Sequence, residues 1–127
     1  MADWTVRALL LVAAGGAIGS ALRYLATAWL SRDAYPWGTL AVNLAGSFLI
    51  ALVLYGISGR ALVGLEWRAF LAPGVLGGFT TMSSFAYETS TLLETGAAAR
   101  AMGYVAVTVI GCVGMALLGR AAASLFA

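Results

Sequence analysis

Long stretches without a single charged side chain dominate this chain and limit what it can fold into. Such runs cover residues 34–59, 69–87 and 101–119, and another covers 8–22 and resumes beyond Arg23 as far as Leu30. Each is near or above the roughly 18 apolar residues that a helix needs to span hydrocarbon. Of the 127 residues, 62% are hydrophobic and only 9% charged, with a mean hydropathy of +0.96, far more apolar than a soluble domain. The pattern predicts an all-α membrane protein with helices at about 5–31, 38–59, 66–95 and 99–124. These form one four-helix transmembrane domain over residues 1–127. The links near 31–37, 58–66 and 95–100 are too short for a soluble domain. The first segment lacks a basic start followed by a small-residue cleavage site, so it reads as a retained helix.

The third span has an unusual composition. Residues 74–88 read GVLGGFTTMSSFAYE, an apolar stretch broken by glycine and followed by hydroxyls and a carboxylate. Gly74, Gly77 and Gly78 weaken a helix, while Thr80, Thr81, Ser83 and Ser84 can bond the backbone groups so freed. A break is therefore expected near Gly74–Thr81, and broken helix inside a bilayer marks a site.

Several functions are disfavoured by what the chain contains. It has no histidine, which removes the commonest general base and metal ligand, and the single cysteine, Cys112, permits no intrachain disulfide. Both facts argue against an enzyme. All seven basic residues are arginines and none forms a run, so the pI of about 9.0 gives no support to nucleic-acid binding. With four spans, Arg7, Arg60, Arg68 and Arg120 fall on one side and Arg32 and Arg100 on the other. This weak asymmetry permits insertion in both orientations. A four-helix bundle has few polar groups to line a pathway, which favours oligomerisation. Gly15 and Gly19 form a small-xxx-small pair, and Gly46, Gly103, Gly111, Gly114 and Gly119 offer further close-packing surfaces or ordinary helix contacts.

Polar residues within the spans discriminate more sharply, because hydrocarbon makes an unpartnered polar group costly. Thr39, Asn43 and Ser47 repeat every four residues on the second helix, and Tyr104, Thr108 and Cys112 do so on the fourth. Thr80, Ser84, Tyr87, Glu88 and Thr91 cover a broad face of the third, with Phe85 at its edge. Three mildly polar stripes can line a narrow route, or their hydroxyls can bond their own i−4 carbonyls and neighbouring helices. Asn43 offers two donors and serves equally as a functional group or as interhelical glue. Arg23 either snorkels to the interface or lends positive potential to a vestibule, and Glu88 stands near an interface. Donors and one cation prevail, which suits an anion route better than a cation route.

GGAIGSALRY at 15–24, WGTLAVNLAGSF at 37–48 and GGFTTMSSFAYE at 77–88 resemble the signatures of the Fluc (CrcB) fluoride channels, and the resemblance extends over the whole chain in length, span number and motif order. It implies a passive fluoride channel of the bacterial inner membrane, built as an antiparallel, dual-topology dimer with two pores and a central structural Na+. It further implies backbone carbonyls of Gly77 and Thr80 as Na+ ligands, Asn43 as a fluoride donor and Phe85 as a pore aromatic. Tyr104 and Thr108 match a polar track, and Arg23 a vestibule or architectural arginine. Asn43, Phe85, Met82, Tyr104, Thr108, Ser84, Thr39 and Glu88 make up the expected fluoride pore.

Two departures stand out. Met82 occupies a position where the family commonly has a second phenylalanine, and Cys112 one where it has serine. Methionine keeps bulk and polarizability but lacks the positive ring edge that can face an anion. The chain is thus expected either to conduct through Phe85 alone or to pair with a related subunit as a heterodimer. The partners expected are fluoride, membrane lipid and a second subunit. The competing reading is a small dual-topology transporter of cationic drugs, which needs a membrane carboxylate in the first helix; none occurs between residues 5 and 31. A non-transporting assembly subunit is the third reading.

Overall fold

The computed structural model describes residues 2–31, 34–58 and 64–125. Every element of regular structure among them is helical: α1 (Ala2–Leu30), α2 (Trp37–Ser58), α3 (Leu65–Ala69), a π-helical segment (Phe70–Leu76), a single turn α4 (Gly77–Phe79), α5 (Met82–Glu94) and α6 (Ala98–Ser124). Four of the resulting rods are long and apolar enough to cross a membrane: Thr5–Leu30, Trp37–Gly56, Leu65–Glu94 and Ala98–Ser124. The shortest has 20 residues, which at 1.5 Å rise per residue extends about 30 Å, the thickness of the hydrocarbon layer. The expected spans are recovered to within a few residues. The 59 end of the second span, and Arg32 and Arg60, lie outside the described residues.

Large apolar side chains such as Leu9, Leu25, Ile110, Val113 and Leu117 remain exposed on the outer faces of α1 and α6. In water so much exposed apolar surface is a liability, whereas in lipid it meets its proper solvent. The buried centre is correspondingly small. Leu40, Leu92, Ala101 and Tyr104 form it, flanked by Tyr35, Leu44, Phe85 and Ala97. α2 packs most extensively on α6, and α1 on the π-helical segment and α4. Arg120 lies 4.9 Å from the Tyr55 ring centre, joining α6 to α2 through a cation–π contact.

Glycine makes these approaches possible, but between helices of one chain. A methyl group on Gly19 would collide with the Val75 carbonyl, one on Gly15 with the Phe70 carbonyl, and one on Gly78 with the Gly16 carbonyl. Gly119 likewise abuts the Phe48 carbonyl, and Gly46 the Thr80 side chain. The expectation that Gly15 and Gly19 prepare an oligomeric surface is therefore corrected: both are buried against the third rod. Only Gly103 and Gly114, of those singled out in the sequence, have open space beside them.

The third rod is interrupted in two ways. Pro73 lies inside the π-helical segment, where it cannot donate an amide N–H, and the Gly77 N–H reaches back to the Ala72 carbonyl across the wide turn. The break lies within the expected Gly74–Thr81 but at its far end, because the glycines stay helical through Phe79. The break falls at the next two residues, Thr80 (φ −84°, ψ 156°) and Thr81 (φ −150°, ψ 113°), both extended. Glycine's contribution here is small volume, which lets α1 approach the backbone.

Gly19→Ala is expected to lower stability in detergent by about 1–3 kcal/mol, because rigid backbone must move to admit the methyl group. Gly114→Ala should leave the thermal unfolding midpoint unchanged or raised, since nothing lies within 4 Å of its added carbon.

Candidate functional site

The break creates the site. In an unbroken helix the Thr81 N–H would bond the Gly77 carbonyl; here it donates to Asn43 Oδ1 at 2.8 Å. Asn43 Nδ2 in return donates to the Thr81 carbonyl at 3.0 Å. The side chain of α2 thereby acts as a strand partner for one extended residue, and both atoms of the amide are used as its chemistry requires. One Nδ2 hydrogen is not engaged by Thr81. The Thr81 hydroxyl restarts the helix as the N-cap of α5, accepting from the Ser84 N–H at 3.1 Å and donating to Ser84 Oγ at 3.0 Å. Ser83 Oγ lies 3.2 Å away.

Around this joint lies an open cavity of about 360 Å³, bounded by residues of α2, α5 and α6 together with the break. Asn43, Met82, Phe85, Thr108 and Thr80 line it, with Ser47 and Cys112. No charged side chain is among its lining residues. Ser47 donates to the Asn43 carbonyl at 2.7 Å and Thr80 to the Leu76 carbonyl at 3.1 Å, so these hydroxyls follow the ordinary back-bonded pattern. Thr108 does not. Its Oγ1 is buried without a hydrogen-bond partner, a costly state.

One turn along the same helices the polar stripes converge on Glu88. Its Oε1 accepts from Thr39 Oγ1 and its Oε2 from the Tyr104 hydroxyl, both at 2.7 Å. Tyr104 is fully buried. Its ring packs against Phe85 (centroids 5.1 Å apart, 53° between planes) and against Tyr35 (5.7 Å, 75°). Beyond this layer Glu88 borders a second cavity of about 230 Å³ with Tyr35, Pro36, Tyr87 and Thr91. The Phe85–Tyr104–Glu88–Thr39 layer thus stands between two hollows on one side of the bundle.

Arg23 turns inward. Its Nη1 lies 3.5 Å from the Thr80 carbonyl, and Ser20 Oγ lies 3.5 Å from the Gly78 carbonyl, so α1 directs donors at the break. Of the expected residues, Asn43, Met82, Phe85, Thr108 and Thr80 share the first cavity; Thr39, Glu88 and Tyr104 share the carboxylate network; Ser84 supports Thr81. Arg23 and Gly77 do not line the cavity. Thr81 was legible only as a hydroxyl able to bond freed backbone groups, and its backbone pairing required Asn43 to be placed opposite. Tyr35 was missed because it precedes the helix and belongs to no stripe.

A family model described as CrcB-like protein, Camphor Resistance (CrcB), matches residues 10–120. The chain belongs to the CrcB family. Proteins named fluoride-specific ion channel FluC are close in sequence to this CrcB-family chain along nearly its whole length. That of Leptospira interrogans serogroup Icterohaemorrhagiae serovar copenhageni (strain Fiocruz L1-130) is 47% identical over 117 residues, covering 89% of this chain and 91% of the relative. That of Anaeromyxobacter sp. (strain K) is 50% identical over 107 residues, with 82% and 85% covered. That of Bordetella petrii (strain ATCC BAA-461 / DSM 12804 / CCUG 43448) is 46% identical over 118 residues, with 90% and 89% covered. Family membership and four spanning helices together make this a multi-pass membrane protein.

Asn43→Leu should strand the Thr81 N–H and carbonyl in a dry setting and cost about 1–3 kcal/mol for each group left unpaired. Thermal unfolding of the detergent-solubilised protein measures the loss. An unchanged midpoint would remove Asn43 from its role as clamp.

Proposed function

We propose that this CrcB-family protein is a passive, fluoride-selective channel of the bacterial inner membrane whose outward leak of F− confers fluoride resistance. The observation that carries the reading is the cavity wall: an oriented Asn43 amide, a buried Thr108 hydroxyl without a partner and the Phe85 ring, with no charged side chain among them. The names of the FluC relatives support the same ion. Fluoride holds its water more tightly than chloride, so selectivity needs compact donors that replace the lost hydration; a diffuse positive field would pass both anions. The free Nδ2 hydrogen of Asn43, the Thr108 hydroxyl and the edge of Phe85 are donors of that kind. No catalytic step is involved.

The functional unit of this reading is an antiparallel dimer with two pores, each cavity closed by a second copy or a related subunit, since in one chain the cavity opens to the outside. The break also suits a hard monovalent cation in the kind of donor it offers. Diversion of the Thr81 N–H to Asn43 deprives the Gly77 carbonyl of its i+4 donor, and the Thr80 carbonyl begins the extended stretch, 3.5 Å from Arg23 Nη1. Two carbonyls are too few for a Na+ shell, so a second copy supplies the remainder. Bound there, Na+ would fix the break and offset the carbonyl dipoles. The drug-transporter reading loses support because both oxygens of Glu88, the only carboxylate in the polar stripes, already accept hydroxyl hydrogen bonds.

Purified protein in liposomes should release fluoride rapidly and chloride scarcely, as followed with ion-selective electrodes; absence of fluoride efflux, alone and with a candidate partner subunit, rejects the proposal. Asn43→Asp places an oxygen against the Thr81 carbonyl and negative charge beside the anion, and should slow efflux by about tenfold or more, equivalent to at least about 1.4 kcal/mol on the barrier. Met82→Phe should strengthen or preserve passage. Complete block by that change would mean that the cavity is shaped around methionine.

A further inference from the structure

Away from the break, a hollow of about 290 Å³ is lined by Glu66, Trp67 and Phe70 of the third rod and by Leu11 of α1. The Trp67 and Phe70 rings stand at 90° to each other with centroids 5.9 Å apart, forming two walls of an aromatic corner. Trp67 keeps 60% of its surface free, which leaves the corner open to a guest. Glu66 is exposed and has no ion-pair partner among the described residues, and no basic side chain among them lines the hollow. A carboxylate next to aromatic rings suits an ammonium group: ring faces attract the cation and the carboxylate accepts its N–H bonds. A bare Na+ or Ca2+ would find one carboxylate among hydrocarbon walls, far short of its oxygen shell.

The place of the hollow decides what carries the ammonium. α1 and the third rod run side by side in one direction, with Gly15 against Phe70 and Gly19 against Val75. The hollow therefore lies near the start of both membrane-crossing segments, Thr5–Leu30 and Leu65–Glu94. That is the depth at which tryptophan meets lipid headgroups, while Leu11 and Phe70 continue the wall toward hydrocarbon. We propose that Glu66, Trp67 and Phe70 bind the primary ammonium of a phosphatidylethanolamine headgroup, whose acyl chains run down the apolar flank of α1 and the third rod. The carboxylate favours a primary ammonium, because a quaternary one has no N–H to donate. Bound lipid ties the start of the third rod, ahead of the π-helical segment, to the membrane surface. The proposal does not rest on the fluoride route, since none of these residues lines either cavity beside the break.

Native mass spectrometry of the delipidated, detergent-solubilised protein, titrated with dioleoyl phosphatidylethanolamine or dioleoyl phosphatidylglycerol, tests the site without any flux. The two lipids share chains and phosphate, and only the first carries an ammonium. Wild type should bind one phosphatidylethanolamine per chain about tenfold or more tightly than phosphatidylglycerol. Glu66→Gln should abolish that preference. Trp67→Leu should lower it by about threefold or more, and Trp67→Phe, which keeps a ring, should retain most of it. Circular dichroism and the thermal unfolding midpoint identify a variant that has failed to fold, and the comparison of two lipids on one variant cancels any loss of active protein. Equal affinity of wild type for the two lipids overturns the proposal, as does a preference that survives Glu66→Gln. Soluble phosphoethanolamine that displaces the lipid at equal concentration overturns the lipid assignment, because the headgroup alone would then suffice.

Discussion

The paired hydrogen bonds between the Asn43 side chain and the Thr81 backbone are the constraint on which the rest depends. Hydrocarbon offers a freed N–H or carbonyl nothing to bond, so a helix can stop and restart within the membrane only if another group supplies what its own next turn no longer does. A primary amide is the side chain best suited to this, since it donates and accepts in one plane as a peptide does. Asn43 sits on α2, which is braced along its length by α6, and so the joint inherits the rigidity of the most extensive helix pair in the protein. Cavity and N-cap both follow from that substitution of partners.

The same logic explains why the polar groups are arranged in layers. At the level of the break the hydroxyls of Ser47 and Thr80 are absorbed by their own helices, leaving Thr108 unsatisfied. One turn away nothing is left over: Glu88 is matched on both oxygens by Thr39 and Tyr104, and Phe85 and Tyr35 seal the tyrosine ring from either side. An acidic residue that could repel an anion is thus held in place by neutral donors. Its position is fixed by three helices at once, which ties the walls of both hollows together.

Much of this was legible in the order of residues, because a bilayer leaves few choices. Charge-free runs set the four rods, and the four-residue spacing of Thr39, Asn43 and Ser47 and of Tyr104 and Thr108 predicted faces that do meet. The glycines misled for a physical reason. Low helix propensity is a local property, and in the third rod it was overridden by packing: Gly74 and Gly78 are small so that Gly15 and Gly16 can approach, and the helix continues past them. The true breaking point carries β-branched threonines whose extended conformation is rewarded only by a partner 38 residues earlier, a contact that no local pattern reveals. Tyr35 escaped notice for the same reason.

The wide turn around Pro73 sets a phase for the whole third rod. A π segment accommodates one more residue than the α-helix it replaces, and each residue of an α-helix advances the face by about 100°. Loss of a single residue between Phe70 and Leu76 can be absorbed as the turn tightens into ordinary helix, whereas loss of one from the regular turn Gly77–Phe79 would swing Thr80 and Thr81 about a quarter-turn away from Arg23 and Asn43. A rod shortened there would fit the membrane equally well and have no joint. Spacing on this helix is therefore as strict a requirement as residue identity, and the chain tolerates exchange of its lipid-facing side chains far more readily than any change in their number.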